Sequence, residues 1–220
     1  MSTFITADGG LTTAGYAVFI AAAVVVLLIG TYIAGKHTKK GSYSAKGLAF
    51  CGIAIALAFV CSYIRIFHLP FGGSVTLFSM LFIVLVGYWY GAGTGILVGL
   101  VYGILQFLQE PYFLTFIQVC CDYLFAFAAL GLSGFFKDRK NGLTIGYIVG
   151  AVGRGVFASI AGYAFWMSYM PENFPQAFAP VYPIAYNFSY IGLEAVITVI
   201  VINIPAVKKA LVYVKQLATE

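Results

Sequence analysis

Charge is what this sequence has least of. Of its 220 residues, 9% are Asp, Glu, Lys or Arg, and only seven of these are carboxylates. A soluble domain carries roughly 25% charged residues, so the polar groups here are too few to coat a globule in water. Histidine is almost absent: His37 and His68 each sit in a loop segment, with no metal-binding partner nearby in sequence. The four cysteines, Cys51, Cys61, Cys120 and Cys121, fall in apolar runs without Cys-x-x-Cys or Cys/His spacing. No metal site and no cofactor is expected, and the cysteines read as small core residues. A nucleotide-binding loop is missing too. Gly30 to His37 approaches that pattern, but no Ser or Thr follows Lys36 and no strand precedes it.

What is present is hydrocarbon. The chain is 62% hydrophobic, with a mean hydropathy of +0.97. A membrane span takes ~20 apolar residues, which leaves room for about seven spans and almost no water-soluble domain. The expected fold is all-α, a polytopic helical bundle whose solvent is the lipid bilayer. The net charge of +5 does not point to nucleic acid, because the basic residues gather at span ends.

The spans are expected at 13–34, 46–66, 75–90, 94–109, 116–136, 143–169 and 184–204. The first is no signal peptide: Asp8 flanks it without Lys or Arg, and no small-residue cleavage motif follows before Lys36. Residues 1–45 form a polar tail, this extra helix and a basic linker; 46–212 form the main membrane domain; 213–220 form a cytoplasmic tail. Ser74 is a plausible N-cap for the third span. Gly95, Gly99 and Gly103, four apart, let helices approach closely in lipid. Ten of the twelve basic residues (Lys36, Lys39, Lys40, Lys46, Lys137, Arg139, Lys140, Lys208, Lys209 and Lys215) fall on one side if seven spans start outside. That places the protein in the cell membrane with its amino terminus outside and its carboxyl terminus cytoplasmic.

Three ionisable residues lie within spans: Asp122, Arg154 and Glu194. Such residues are costly at membrane depth and usually face a bundle interior or a cavity. Arg154 and Glu194 share mid-depth and read as a structural pair, which leaves Asp122, near the outer end of its span, for function. Gln118 and Asp122 are four apart and share a helix face. That face either bonds a neighbouring helix or lines a ligand cavity. Arg154, Ala158, Gly162 and Trp166 follow at spacing four, and Tyr182, Tyr186, Asn187 and Tyr190 crowd the start of the last span. Singly these aromatics fit an interfacial belt. Together with Asp122 and Asn187 they suggest an outward pocket for a flat, nitrogen-rich cation, which aromatic faces and a carboxylate both attract. Asp122 and Trp166 are expected to meet different rings of that ligand.

The segments Gly72 to Met80, Gln118 to Ala128, Gly162 to Tyr169 and Tyr182 to Tyr190 resemble those of the substrate-binding S component of energy-coupling factor (ECF) vitamin transporters, thiamine-specific branch. The resemblance covers about 46–212 and implies a six-helix core, with the first span as an addition. It implies a binding protein without ATPase activity, no enzyme, that hands thiamine or a close pyrimidine relative to a transmembrane subunit driven by two ATPase subunits. Asp122 stands where the family's carboxylate meets the aminopyrimidine. Tyr123, Trp166, Tyr182 and Asn187 match ligand-contacting positions, and Arg154 falls where other members carry Lys. Ala158 replaces an expected His. Ala54 and Ala58 match the small-x-x-x-small docking pattern of the first family helix.

Two other readings stay open. A proton-coupled secondary transporter of a small cation would use Asp122, Arg154 and Glu194 as a relay, though neither an internal repeat nor paired broken helices are visible. A membrane enzyme would need a nucleophile, a base and an orienting group at workable spacing, which the sequence does not offer.

Overall fold

A computed structural model describes residues 12–15, 17, 18, 21 and 44–220. Most of the expected first span, 13–34, lies outside the described residues.

Helix α1 (Ala45–Tyr63) starts at Ser44, whose hydroxyl caps it by accepting from the Gly47 amide at 3.0 Å. Its inward stripe is Gly47, Cys51, Ala54, Ala58 and Ser62. The other faces are apolar and exposed, Leu48 and Val60 at 68% and 60%, as a lipid-facing helix requires. Ala54 and Ala58 are therefore not on an outer docking face. They are buried in the chain's own core, and the Tyr102 hydroxyl donates to the Ala58 carbonyl at 3.2 Å. Small residues that α1 does present outward include Ala49, Gly52 and Ala56.

Next comes a two-stranded antiparallel hairpin, β1 (Arg65–His68) and β2 (Ser74–Thr76), with Phe67 opposite Val75. Ser74 is thus a strand residue, its hydroxyl 2.7 Å from His68 Nδ1, and not a helix cap. Helix α2 (Ser79–Tyr90) begins later than expected, after Phe78 in a left-handed conformation at φ 59°. Twelve residues rise only ~18 Å, short of the ~30 Å hydrocarbon thickness. Being apolar all round, α2 is the helix the others enclose: it packs against α1 and against the helical segments Ala92–Gln109, Phe116–Phe136 and Gly142–Phe165.

Gly91, at φ 95°, turns the chain into α3 (Ala92–Gln109). The glycine stripe of α3 meets α4 (Phe116–Phe136) backbone to backbone. A methyl group added at Gly95 would stand 2.8 Å from Gly131 Cα, and one at Gly99 2.8 Å from Ala128 Cα. Within α4 the winding changes: one wide turn spans Cys120–Phe125, and tight turns run over Ala129–Phe136.

Helix α5 (Gly142–Phe165) ends four residues before the expected limit, with Trp166 as its cap. A loop with tight turns at Met167–Tyr169 and Gln176–Val181 leads to α6 (Tyr182–Asn203), and Pro205 opens α7 (Pro205–Thr219). The expected tail 213–220 is thus largely the last turns of a helix. Among the described residues, α1, α3, α4, α5 and the stretch Gln176–Asn203 are long and apolar enough to cross a membrane. The protein is an all-α membrane bundle.

Candidate functional site

At the end of the bundle where the hairpin, the 110–115 loop and the 166–181 loop gather lies an open cavity of about 500 Å³. Asp122, Tyr123 and Phe127 reach it from α4; Arg154, Ala158, Gly162 and Trp166 from α5 and its cap; Tyr182, Tyr186, Asn187 and Tyr190 from α6; Gly72 and Gly73 from the hairpin loop. The spacing-four row expected on α5 thus converges on one wall.

Asp122 is held by Gln118 Nε2 at 2.8 Å and by the Trp166 indole N–H at 2.9 Å, both donating to Oδ2. Its Oδ1 accepts nothing among the described residues and remains an open acceptor in a site-lining carboxylate. Gln118 shares the face of Asp122 as its spacing suggests, but it does not line the cavity. It is fully buried behind Asp122, its Oε1 accepting from the Leu114 amide at 3.2 Å. It orients the carboxylate from behind and does not reach the cavity. Thr115 caps this turn, accepting from the Gln118 amide at 3.1 Å. The wide turn that carries Asp122 is of a kind often found at functional sites.

Arg154 does not pair with Glu194. The ion pair present among the described residues joins Arg65 to Glu110 at the cavity rim. Glu194 is 2% exposed, outside the cavity, and accepts from the Thr76 amide at 2.8 Å, the Thr76 hydroxyl at 2.9 Å and the Met80 amide at 3.5 Å. A carboxylate beside the first turn of α2 is favoured by the helix dipole. Arg154 instead lies over the Phe127 ring, 4.5 Å from its centroid, and lines the cavity.

Asn187 is largely spent on the protein. Its Nδ2 donates to the Pro183 and Ala158 carbonyls at 2.9 and 3.3 Å, and its Oδ1 accepts from Tyr190 at 2.8 Å. It ties α5 to α6 at the cavity wall. The Tyr123 hydroxyl is likewise engaged, with the Glu110 carbonyl at 2.9 Å. Gly162 faces Pro183 so closely that an added methyl group would come within 2.9 Å of its Cβ.

The aromatic wall is larger than sequence reasoning found. Tyr112 and Tyr169 flank Trp166, with ring centroids at 4.7 and 5.5 Å, and their hydroxyls meet at 3.0 Å. The usable signal was Tyr112 directly after Pro111, an aromatic placed by a helix-ending turn. Tyr186 fastens the hairpin loop: its hydroxyl accepts from the Gly73 amide at 3.1 Å and donates to the Pro70 carbonyl. Gly73 is needed there, because a methyl group would come within 2.7 Å of the Tyr190 ring.

An aromatic chamber at membrane depth, with one carboxylate oxygen and a guanidinium turned into it, defines a helical membrane protein that binds a small polar solute. The chain belongs to the thiamine transporter protein family (Thia_YuaJ), whose model matches residues 48–214. This is a family of transporters, not of enzymes. Thiamine transporter ThiT of Bacillus subtilis (strain 168) is 31% identical over 153 residues, covering 61% of this chain and 75% of that one. The solved structure of ThiT from Listeria monocytogenes has the same fold, with a TM-score of 0.59 and 23% identity, over 73% of this chain and 94% of that one.

Proposed function

We propose that the cavity binds thiamine or a close pyrimidine relative, and that the chain is the binding subunit through which that vitamin is taken up. The carrying observation is the half-satisfied carboxylate: Asp122 is fixed through Oδ2, while Oδ1 is left for a donor. Thiamine offers an exocyclic amino group to that oxygen and a thiazolium cation to the aromatic wall. A charge-assisted bond there and ring contacts to the cation are each worth roughly 1–3 kcal/mol. Trp166 holds Asp122 and also presents a ring face. Arg154, with no ion-pair partner among the described residues, serves an acceptor on the ligand. Tyr123, Tyr182, Asn187 and Gly162 shape the walls.

No ATP site is visible in the sequence, so uptake against a gradient needs a partner. We infer an ECF transmembrane subunit with two ATPase subunits. With Ala54 and Ala58 buried, the outward row Ala49, Gly52 and Ala56 is the α1 surface for its close approach. The charge bias supports a cytoplasmic carboxyl terminus. The proton-relay reading loses support because Glu194 is consumed by Thr76 and Met80.

One experiment addresses both halves. Thiamine is titrated calorimetrically into purified wild type and into Ala56→Trp, and uptake is measured in cells carrying each. Both proteins are expected to bind, while only wild type accumulates thiamine. Absence of binding in wild type sinks the vitamin reading; unchanged uptake in Ala56→Trp moves the docking face elsewhere.

A further inference from the structure

The end of the bundle away from the cavity carries a second feature that vitamin binding does not use. Helix α7 follows directly on the span α6 through Pro205, so it starts at the bilayer surface by connectivity. It is pinned against the bundle: the Tyr90 hydroxyl donates to the Ala218 carbonyl at 2.8 Å, and Lys215 Nζ sits 4.2 Å over the Tyr88 ring. Its apolar arc is wider than the bundle covers. Val207, Leu211, Val214 and Ala218 turn inward, whereas Ala206, Ala210, Tyr213 and Leu217 form a neighbouring row left uncovered, Tyr213 at 61% exposure. Lys208 and Lys215, seven residues apart, share the other edge. A helix with one apolar flank and one lysine flank is built to lie in a membrane interface.

Beneath that lysine edge lies a notch of about 120 Å³, between α7 and the start of α5. Lys208, Lys215, Asn141, Thr144, Asn203 and Tyr88 are among its lining residues. It is too small for a vitamin but has room for a phosphate group. Lys215 Nζ also donates to the Lys137 carbonyl at 3.4 Å, which brings the basic 137–140 loop alongside. Lys208 forms no ion pair among the described residues. Lys46, Lys137, Arg139, Lys140, Lys208, Lys209 and Lys215 thus outnumber Asp138 and Glu220 at this end.

We propose that this notch holds the phosphodiester headgroup of an anionic phospholipid, with α7 lying in the adjoining leaflet and its Tyr213–Leu217 row among the acyl chains. The lysine edge supplies the cation at the notch, and the uncovered apolar row on the opposite edge of α7 supplies the lipid contact. Free phosphate lacks the acyl chains, and in a zwitterionic lipid the choline cation beside the phosphodiester offsets the charge that the lysines would meet.

The test uses the full chain reconstituted in nanodiscs of phosphatidylcholine alone or mixed with phosphatidylglycerol. Phosphatidylglycerol is expected to raise the melting temperature of wild type by ~4 °C. Lys208→Gln, which removes a side chain without an ion pair, should lose about half of that shift. Lys208→Gln with Lys215→Gln should abolish it, and the matching pair of Arg substitutions should keep it. An equal melting temperature in both lipids, or a full shift in the Gln pair, overturns the proposal. A shift reproduced by millimolar inorganic phosphate in phosphatidylcholine makes the notch a free-anion site and overturns the lipid assignment. If the Gln pair responds to lipid as wild type does but no longer co-purifies with a membrane partner, the face belongs to a protein instead.

Discussion

Asp122 and Glu194 are both carboxylates at membrane depth, and their surroundings differ in one respect that decides their roles. Both oxygens of Glu194 are engaged by Thr76 and Met80, and the residue is 2% exposed. Asp122 is bonded through one oxygen only and lines a cavity. The cost of burying the charge is met in the first case by the protein's own backbone, which fixes β2 and the start of α2 onto α6. In the second case part of it is left for a ligand to meet. A fully satisfied buried charge fastens the fold; a half-satisfied one marks where something binds.

The largest expected effect is on the fastening side. Glu194→Gln exchanges an acceptor-only group for one that brings its own donors into a site of N–H and O–H groups. It should destabilise the protein by roughly 3 kcal/mol, the scale of a broken buried network. A thermal melt shows this as a lowered transition, while thiamine affinity of the folded fraction stays close to wild type. A normal melt with lost affinity would reverse the roles of the two carboxylates.

Next comes the binding side. Asp122→Asn keeps the shape and removes the charge, and should weaken thiamine binding by roughly 1.5–3 kcal/mol with little change in melting. Calorimetry reads the affinity directly. Wild-type affinity in this variant would mean that the open oxygen is not the recognition point.

A smaller effect sharpens the contrast. Asp122 and Trp166 were expected to act independently on different parts of the ligand, but the indole N–H donates to the carboxylate at 2.9 Å. Trp166→Phe and Asp122→Asn should therefore not add: a double-mutant cycle on affinity should show a coupling of about 0.5–1.5 kcal/mol. Additive losses would place the bond outside the bound state.

The long spans were readable because lipid demands continuous apolar runs, and the glycine row of α3 was readable because spacing four puts it on one face. Gln118 beside Asp122 was readable for the same reason. The hairpin was not: Ser74, Val75 and Thr76 are too few to show alternation, and the apolar run continues into α2. That hairpin brings Thr76 to Glu194, whereas depth along the helices pointed to Arg154. Ala54 and Ala58 were misplaced because a small-x-x-x-small pattern says that backbones come close, not whether the neighbour is inside or outside the chain. Ala49, Gly52 and Ala56 lie on the same helix facing the other way. Tyr112 and Tyr169 sit on loops, where no period assigns a direction.

The wide turn at Cys120–Phe125 sets two parts of one helix in different phase. Downstream, Ala128 and Gly131 must face the α3 glycines, and that contact allows no rotation because its backbones already touch. Upstream, Thr115 and Gln118 must aim Asp122. In a uniformly wound helix, each residue added or removed turns one part against the other by ~100°, so either seam or carboxylate would lose its alignment. The wide turn takes up the difference locally. The aim of the carboxylate is therefore set by the winding of six residues, and the contact of Gly103 with the Tyr123 backbone holds that winding in place.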